Sequence, residues 1–229
     1  MKVTWLGQAG LLLDNGKYEI MIDPYLSDAV AKKDPEKYRR TPVNADVFAI
    51  QPDVLIFTHD HLDHYDPETA EVFLSKDRKP LTVLCPFSVW QKVRAFGGAH
   101  NYVLFDRHTQ WSEFGFRFQA VKASHSDPYA IGVVIDDLET HKAYYITGDT
   151  LYNSEIFADL PENINAVFLP INGVGNNMNA EDALRFFNRC GARTVVAYHV
   201  GMFDNIPQTV LNAPNQIVLE AYQVRELGV

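Results

Sequence analysis

Residues 59–64 read HDHLDH and place three histidines and two aspartates within six positions. They directly follow the apolar stretch DVLIF, which has the length and the β-branched content of a buried strand. Imidazole and carboxylate groups are common metal ligands. A solvated polar loop whose histidines bond to backbone groups is the competing interpretation. So dense a cluster at the carboxyl end of a buried strand favours a metal site.

The spacing within the cluster predicts two points of convergence. On an extended strand His59 and His61 would point to the same side, because side chains alternate with a period of two residues. We therefore expect this pair to bind one ion. Asp63 and His64 would lie in the loop beyond and face a second point nearby, whereas Asp60 would point away from its neighbours.

A metal centre takes three or four protein ligands for each ion, which is more than this loop supplies. Three further candidates follow β-rich stretches: His125 in VKASHSDP, Asp149 in YYITGDT and His199 in VVAYHVG. Each could project from the same sheet edge as the cluster. Taken singly, each has a structural alternative, since His125 or His199 could be a core histidine and Asp149 a turn residue.

The order of the predicted elements supports this placement. KVTWL, GLLLD and YEIMID predict a strand meander, with DNG as a hairpin turn. DVLIF precedes a helix that Asp66 or Pro67 begins, and NAVFLPI precedes a helix that Asn179 caps. Strand-rich stretches combined with βα units in both halves predict an α/β fold with two sheets between outer helices. We expect a single domain over residues 1–229.

The motif HDHLDH resembles the HxHxDH signature of the metallo-β-lactamase fold superfamily, and the later His, Asp and His follow in the family's order. Several stretches more closely resemble the branch of L-ascorbate-6-phosphate lactonases and metal-dependent hydrolases: WLGQAGLLL, ASHSDP, YYITGDT, LPINGVGN and YHVGMFDN. The resemblance covers essentially the whole chain. It implies an αββα sandwich of two mixed β-sheets with outer helices and a site at the edge between the sheets.

The resemblance also assigns roles to individual residues. The ligands that it implies for the first metal ion are all histidines: His59, His61 and His125. The ligands that it implies for the second metal ion are Asp63, His64 and His199. Asp149 would bridge the two ions, and Asp23 in IMIDPYLSD would orient a ligand from outside.

These residue types indicate a hydrolytic chemistry. Two ions about 3.5–4 Å apart can share a water, lower its pKa towards neutrality and polarise a carbonyl or phosphoryl oxygen while hydroxide attacks. Imidazoles suit Zn(II), Mn(II) and Fe(II), and Asp63 and Asp149 add hard oxygen donors. We therefore expect two divalent metal ions, Zn(II) or Mn(II), with these two aspartates as catalytic residues.

Two segments offer candidate contacts to a substrate. Basic residues that could hold a phosphate or carboxylate, or could simply form a solvated face, are Lys32, Lys33, Lys37, Arg39 and Arg40. Amides that could bond sugar hydroxyls, or could simply shape their loop, are Asn172, Asn176 and Asn177. Met202 and Phe203, just past His199, are expected either to line the pocket or to pack.

Composition narrows the class of protein. The formal net charge of −9 argues against a nucleic acid partner, because a polyanion would be repelled. Cys85 and Cys190 lack CxxC spacing and are expected to be reduced core residues. No apolar run approaches the ~18 residues of a membrane span, and Gly7, Gln8 and Asp14 interrupt any signal-peptide region. We expect a cytoplasmic protein with a small-molecule substrate. The sequence is compatible with both a monomer and a homo-oligomer.

The leading hypothesis is a binuclear metal-dependent hydrolase that uses a metal-bound hydroxide on a small anionic ester or lactone, with a sugar-phosphate lactone as one candidate. The alternative among enzymes is a phosphodiesterase for a small cyclic or lipid phosphodiester, since related members of the fold cleave phosphodiesters. A non-catalytic metal-binding sensor or scaffold is the third hypothesis. The full set of seven ligand positions argues against it.

Overall fold

The computed structural model describes residues 1–202 and 205–228, which form two β-sheets packed face to face between helices. The strands of the first half are β1 (Lys2–Trp5), β2 (Leu11–Asp14), β3 (Glu19–Ile22), β4 (Val54–Ile56), β5 (Thr82–Cys85), β6 (Asn101–Leu104) and β7 (Gln110–Glu113). Those of the second half are β8 (Phe116–Lys122), β9 (Ile131–Asp137), β10 (Lys142–Ile146), β11 (Ala166–Pro170), β12 (Thr194–Tyr198), β13 (Gln216–Ile217) and β14 (Val224–Glu226). The predicted αββα sandwich is confirmed.

The helices are short. They are α1 (Ala29–Lys33), α2 (Pro67–Phe73), α3 (Phe87–Val93) and α4 (Ala180–Cys190), with single 3₁₀ turns at Ala45–Ala49, Arg94–Phe96, Ser154–Ala158 and Gln208–Leu211. In the part of the chain that is described, none of them has the length and apolar character to cross a bilayer.

Both sheets have mixed pairing. The first sheet has the strand order β14-β1-β2-β3-β4-β5-β6, antiparallel from β14 to β3 and parallel from β3 to β6. The second has the order β13-β12-β11-β10-β9-β8-β7, parallel from β13 to β10 and antiparallel from β10 to β7. Parallel strands end at the same edge of a sheet, so the loops that follow them collect there.

The core follows from the alternation of side chains along the strands. Leu11 and Leu13 of β2 belong to the large apolar cluster between the sheets, whereas Leu12 between them packs in the cluster under the helices of the first sheet. The helix α2 contributes Phe73 to that second cluster. Every one of these side chains is buried. Two apolar layers therefore hold the sheet edge that carries the predicted ligands.

Helix ends agree with the residues that the sequence predicts for them. Asp66 caps α2 by accepting hydrogen bonds from Glu68 N at 3.1 Å and Thr69 N at 3.3 Å, and Pro67 begins the helix. Asn179 caps α4 by accepting from Asp182 N at 2.9 Å. A side-chain acceptor at this position satisfies an amide that has no partner within the helix. The loops that precede both helices are thereby fixed.

Candidate metal centre

The candidate ligands lie in loops at one rim of the sandwich. Residues 59–64 follow β4 in the first sheet. In the second sheet, His125 follows β8, Asp149 follows β10 and His199 follows β12. Strand ends in both sheets thus supply the candidates, as the sequence predicts.

The HDHLDH loop has a different conformation from the extended one that we expected. Strand β4 ends at Ile56, so His59 and His61 lie beyond it rather than on it. His61 O accepts hydrogen bonds from His64 N at 3.0 Å and from Tyr65 N at 2.8 Å, which closes a tight turn. The turn brings the His64 ring within 4.0 Å of the His59 ring, measured between centroids. Local turn formation, not strand alternation, therefore gathers these side chains.

The ligand atoms form two groups, each with all its atoms within 4.8 Å of one another. The first group consists of His59, His61, His125 and Asp149, and the second of Asp63, His64 and His199. Asp149 also reaches the second group, because its Oδ1 lies 3.1 Å from His64 Nε2 and 2.9 Å from His199 Nε2. The structure thus brings all seven predicted residues together, with Asp149 between the groups.

In the first group each histidine contacts the protein through one ring nitrogen. His59 Nδ1 lies 3.1 Å from Thr58 Oγ1, His61 Nε2 lies 3.3 Å from Ser126 Oγ, and His125 Nδ1 lies 3.3 Å from Asn176 O. The opposite nitrogens face inward, with His61 Nδ1 3.0 Å from His125 Nε2. An outer partner that accepts the ring proton fixes the tautomer and leaves the inner nitrogen with its lone pair.

The histidines of the second group have outer partners of two kinds. His64 Nδ1 lies 2.8 Å from the acceptor Asp23 Oδ2, whereas His199 Nδ1 lies 3.0 Å from the amide donor Asn172 Nδ2. Their Nε2 atoms are 3.0 Å apart. Two nitrogens bound to one zinc ion at about 2.0–2.1 Å would also lie about 3 Å apart, so the spacing matches a shared ion.

Asp23 links the two groups from outside. It is fully buried, and its Oδ1 accepts a hydrogen bond from Thr58 N at 2.8 Å. Its Oδ2 accepts from Thr58 Oγ1 at 2.6 Å and lies beside His64 Nδ1. Because Thr58 Oγ1 in turn contacts His59, one carboxylate orients a histidine of each group.

The pKa values of the histidines are shifted in different directions in the two groups. Burial, together with the neighbouring charge of His64, holds the pKa of His59 well below its usual range, so that imidazole is neutral. Burial also lowers the pKa of His125. Burial opposes protonation of His199 too, but Asp149 and Asp63 outweigh it and raise its pKa to about 9. His59 and His125 are therefore neutral histidines.

The pKa of His64 is raised well above its usual range, since Asp149, Asp23 and Asp63 outweigh the effect of burial. Burial would raise the pKa of Asp149, but His199 and His64 outweigh it and hold that pKa well below its usual range. The second group therefore pairs carboxylates with positive charge. A divalent cation satisfies the same carboxylates in place of protons.

The donor set fits divalent metal ions. His59 Nε2 is buried, faces the other ligands and has no hydrogen-bond partner among the described residues. Asp149 Oδ1 is buried against two other candidate ligands, His64 Nε2 and His199 Nε2. Buried polar atoms seldom stay without a partner. An ion in each group would satisfy these atoms and the inward nitrogens together. The mixture of imidazole and carboxylate donors suits Zn(II) and Mn(II).

The predicted substrate contacts lie in different surroundings. Arg39 is buried and donates to Tyr25 O and, at 2.8 Å, to Leu6 O. Arg40 is partly buried and stacks on the Tyr38 ring at 5.2 Å. The contacts of Arg39 hold the basic segment, residues 32–40, against strand ends of the first sheet. Binding of a substrate by either arginine stays a prediction.

The asparagine loop surrounds the candidate ligands. Asn172 is buried against His199, and Asn177 Nδ2 donates to Asp149 Oδ2 at 2.8 Å. Asn176 is exposed, and its carbonyl oxygen contacts His125. All three asparagines therefore touch candidate ligands. The predicted contacts of Asn172 and Asn176 with substrate stay predictions, and only Asn176 combines exposure with a place beside the first group.

The remaining candidate substrate contacts include two lysines and two residues that lie just past His199. Lys32 pairs with Glu68 at 2.6 Å, and Lys37 pairs with Asp34 at 2.8 Å. Met202 is buried in a small apolar cluster with Tyr25. Phe203 lies outside the described residues.

Four further residues lie next to the candidate ligands without belonging to either group. Asp60 pairs with Lys92 at 2.6 Å and stays out of both groups. Thr58, Ser126 and Gln8 contact candidate ligands and were not singled out from the sequence. Their only signal was adjacency to a strand end or to a ligand.

Comparison with known proteins places the chain in a family. A model of the family described as the beta-lactamase superfamily domain matches residues 18–200. An uncharacterised protein of Mycobacterium tuberculosis is 26% identical over 235 residues, which cover 90% of this chain and 60% of that relative. This chain thus spans only about 60% of the length of the mycobacterial relative.

Two further proteins cover this chain almost from end to end. A UPF0173 metal-dependent hydrolase of Geobacillus thermodenitrificans is 25% identical over 227 residues, covering 91% of this chain and 89% of the relative. The metallo-beta-lactamase fold protein YhfI of Bacillus subtilis is 18% identical with a TM-score of 0.71, covering 98% of this chain and 99% of that one. The chain therefore belongs to the beta-lactamase superfamily domain family and has the metallo-β-lactamase fold.

Proposed function

We propose that this protein is a binuclear metal-dependent hydrolase that acts on a small anionic ester or lactone. The observation that carries the proposal is the arrangement of five histidines, each held by the protein at one ring nitrogen and facing the others with the second. A relative of nearly the same length is named a metal-dependent hydrolase, which supports the reaction class.

Each group would hold one ion. His59, His61 and His125 would bind the first, and Asp63, His64 and His199 the second. Asp149 would contact both, since its Oδ1 is within 3.1 Å of two histidines of the second group and it belongs to the first. When bound, two divalent ions lower the pKa of a water and polarise the oxygen of the scissile group.

Residues around the centre would hold the metal ligands in position through hydrogen bonds. Asp23 and Thr58 hold His64 and His59, and Asn177 holds Asp149 by a hydrogen bond of 2.8 Å. Preorganised ligands avoid the cost of reorganisation when the substrate reacts.

The basic segment supports an anionic substrate. The Lys37 ammonium is exposed and pairs with Asp34 at 2.8 Å; Asp34 raises its pKa most, with smaller contributions from Glu36 and Asp63. Arg40 N donates to Gly201 O at 2.8 Å, two residues beyond His199. The segment therefore borders the second group. A cation there would attract a phosphate or carboxylate on the substrate.

The test is a screen of metal-loaded protein against lactones, thioesters and small phosphodiesters, each as an anionic and a neutral analogue. We expect turnover of an anionic ester or lactone in preference to its neutral analogue. Turnover confined to phosphodiesters would favour the phosphodiesterase. Two bound ions with no turnover in any class would favour the sensor or scaffold.

Two variants of the same loop provide the control. His59→Ala removes a ligand of the first group and is expected to abolish turnover and lower metal content. Asp60→Asn changes the adjacent residue, whose side chain pairs with Lys92, and is expected to keep both. Full activity of chelator-treated, metal-free protein would exclude the proposed mechanism.

A further inference from the structure

Gln8 enters the second group although it belongs to no assigned ligand set. It lies in the turn after β1 and is 2% exposed. Its Nε2 lies 2.7 Å from Asp63 Oδ2 and 2.9 Å from His199 Nε2. These are the two atoms that Asp63 and His199 direct towards the other ligands of their group. A neutral carboxamide therefore stands beside two candidate ligands at once.

The backbone of Gln8 is held in an uncommon conformation. Its φ is +49°, in the left-handed region that non-glycine residues seldom adopt. Gln8 O accepts hydrogen bonds from His199 N at 3.1 Å and from Trp5 Nε1 at 2.8 Å. The turn of the first sheet is thereby tied to the end of β12 in the second. Strained residues fixed by their surroundings in this way cluster at functional sites.

The nitrogen of the Gln8 carboxamide, not its oxygen, makes the contacts that orient the side chain. Gln8 Oε1 is buried and has no partner among the described residues, whereas Nε2 carries both short contacts. A hydrogen bond from N–H to a carboxylate is charge-assisted and stronger than one between neutral groups. The bond to Asp63 is therefore the interaction that orients this side chain.

We propose that Gln8 is a positioning residue for the second metal ion: it donates to Asp63 Oδ2 and holds that carboxylate beside His199. Occupancy of the second ion position then depends on Gln8, and occupancy of the first does not. The histidines of the first group have other partners, Thr58, Ser126 and Asn176. The inference rests on the binuclear function proposed above.

The decisive variant is Gln8→Asn. Asparagine tolerates the left-handed conformation, so the turn is retained, but its amide is one methylene shorter and cannot reach Asp63. Zn²⁺ would be titrated into metal-free protein by calorimetry, and bound zinc counted after desalting. We expect the first ion to bind as in the wild type and the second about 10–100-fold more weakly. After desalting, the variant should keep close to one ion per chain.

Two further variants distinguish the role of the Gln8 amide from that of the backbone turn. Gln8→Met keeps the length of the side chain without its N–H groups and should show the same selective loss. Trp5→Phe removes the hydrogen bond from Trp5 Nε1 to Gln8 O but leaves the carboxamide, and should bind both ions as the wild type does. Thermal unfolding of the metal-free variants checks that each is folded.

Several outcomes would overturn the inference. They are unchanged binding of both ions by Gln8→Asn and Gln8→Met, an equal loss at both positions, or the same selective loss in Trp5→Phe. A wild-type protein that binds only one ion would overturn the binuclear function itself and this inference with it. That result is obtained before any variant is made, so the two failures are distinguishable.

Discussion

At the scale of single residues, the two aspartates near the centre have separate surroundings. Asp149 Oδ1 contacts two other candidate ligands, His64 Nε2 and His199 Nε2, whereas both oxygens of Asp23 accept hydrogen bonds from Thr58. A carboxylate whose inward oxygen faces other candidate ligands is suited to bind an ion. One with satisfied oxygens is suited to hold a ligand in place.

The first prediction follows from this difference. Asp149→Asn removes the charge between the two groups without much change in volume, so turnover should be nearly abolished and bound metal should fall. Asp23→Asn should keep measurable turnover, about 10–100-fold below the wild type, because it loses only orientation. Steady-state rates and metal content would be compared, with folding checked by circular dichroism. Near-normal turnover of Asp149→Asn with inactive Asp23→Asn would reverse the two roles.

The second prediction concerns Lys37. If its ammonium attracts an anionic substrate, Lys37→Ala should raise KM for that substrate several-fold with little change in kcat. A neutral analogue should be unaffected, because the lost interaction is with charge. Lys32→Ala is the matched control, since the Lys32 ammonium pairs with Glu68 on the surface. Equal effects of both variants would mean that the segment acts only through net charge.

At the scale of elements, a glycine sets the path from β10 to the centre. Gly148 has a φ of +60°, and a Cβ there would lie 2.9 Å from Ile131 O and 2.9 Å from Thr58 Cβ. Gly148→Ala should therefore displace Thr58 and Asp149 and weaken metal binding. Gly191→Ala is the control, because Gly191 has a φ of +70° with open space around it. Metal titrations of both variants distinguish crowding from backbone strain, and an equal effect would contradict our account.

A buried carboxylate fixes the end of β8, the strand that leads to His125. Asp159 accepts hydrogen bonds from Lys122 N at 2.9 Å and from Arg107 Nε at 2.7 Å. Burial opposes its ionisation, but these bonds outweigh burial and lower its pKa from 3.8 to about 2. Its contribution to stability is therefore complete above pH ~4 and is lost as pH falls towards about 2.

The fourth prediction uses that pH dependence. Asp159→Asn should lower the free energy of unfolding by roughly 1 kcal/mol at pH 7, because solvent screens its pairs with the exposed Arg107 and His108, and the difference from the wild type should shrink as pH approaches 3 and below. Urea unfolding at a series of pH values measures it. Glu139→Gln, which breaks an exposed pair with Lys17, should change stability little at any pH. A pH-independent difference for Asp159→Asn would contradict the assigned pKa.

The elements also show what the sequence could and could not predict. The caps Asp66 and Asn179, and the apolar strands, depend on local chemistry, so they could be read from adjacent residues. The turn closed on His61 O could not, because hydrogen bonding overrides the alternation expected of a strand. Gln8 was also missed, since it meets Asp63 only after both sheets are assembled. Contacts across 55 positions leave no local pattern.

At the scale of the molecule, the centre joins the two sheets. His59, His61, Asp63 and His64 follow a strand of the first sheet, whereas His125, Asp149 and His199 follow strands of the second. Each group contains residues from both sheets. The large apolar cluster already packs the sheets together away from the rim. Ions in both groups would therefore add a cross-link at the edge where hydrophobic packing gives way to polar loops.

This arrangement gives the last prediction. Because the ligands converge only in the folded chain, metal should stabilise the native state by about 2.7 kcal/mol at 100 times its dissociation constant. Chelation should lower the unfolding midpoint, and hydrogen exchange should rise in the loops after β4, β10 and β12 while the centres of the strands stay protected. His59→Ala should show a smaller difference between metal-loaded and chelated protein. If chelation removes the metal, as measured by elemental analysis, and the midpoint does not change, the ions do not connect the sheets and the two groups are not their binding site.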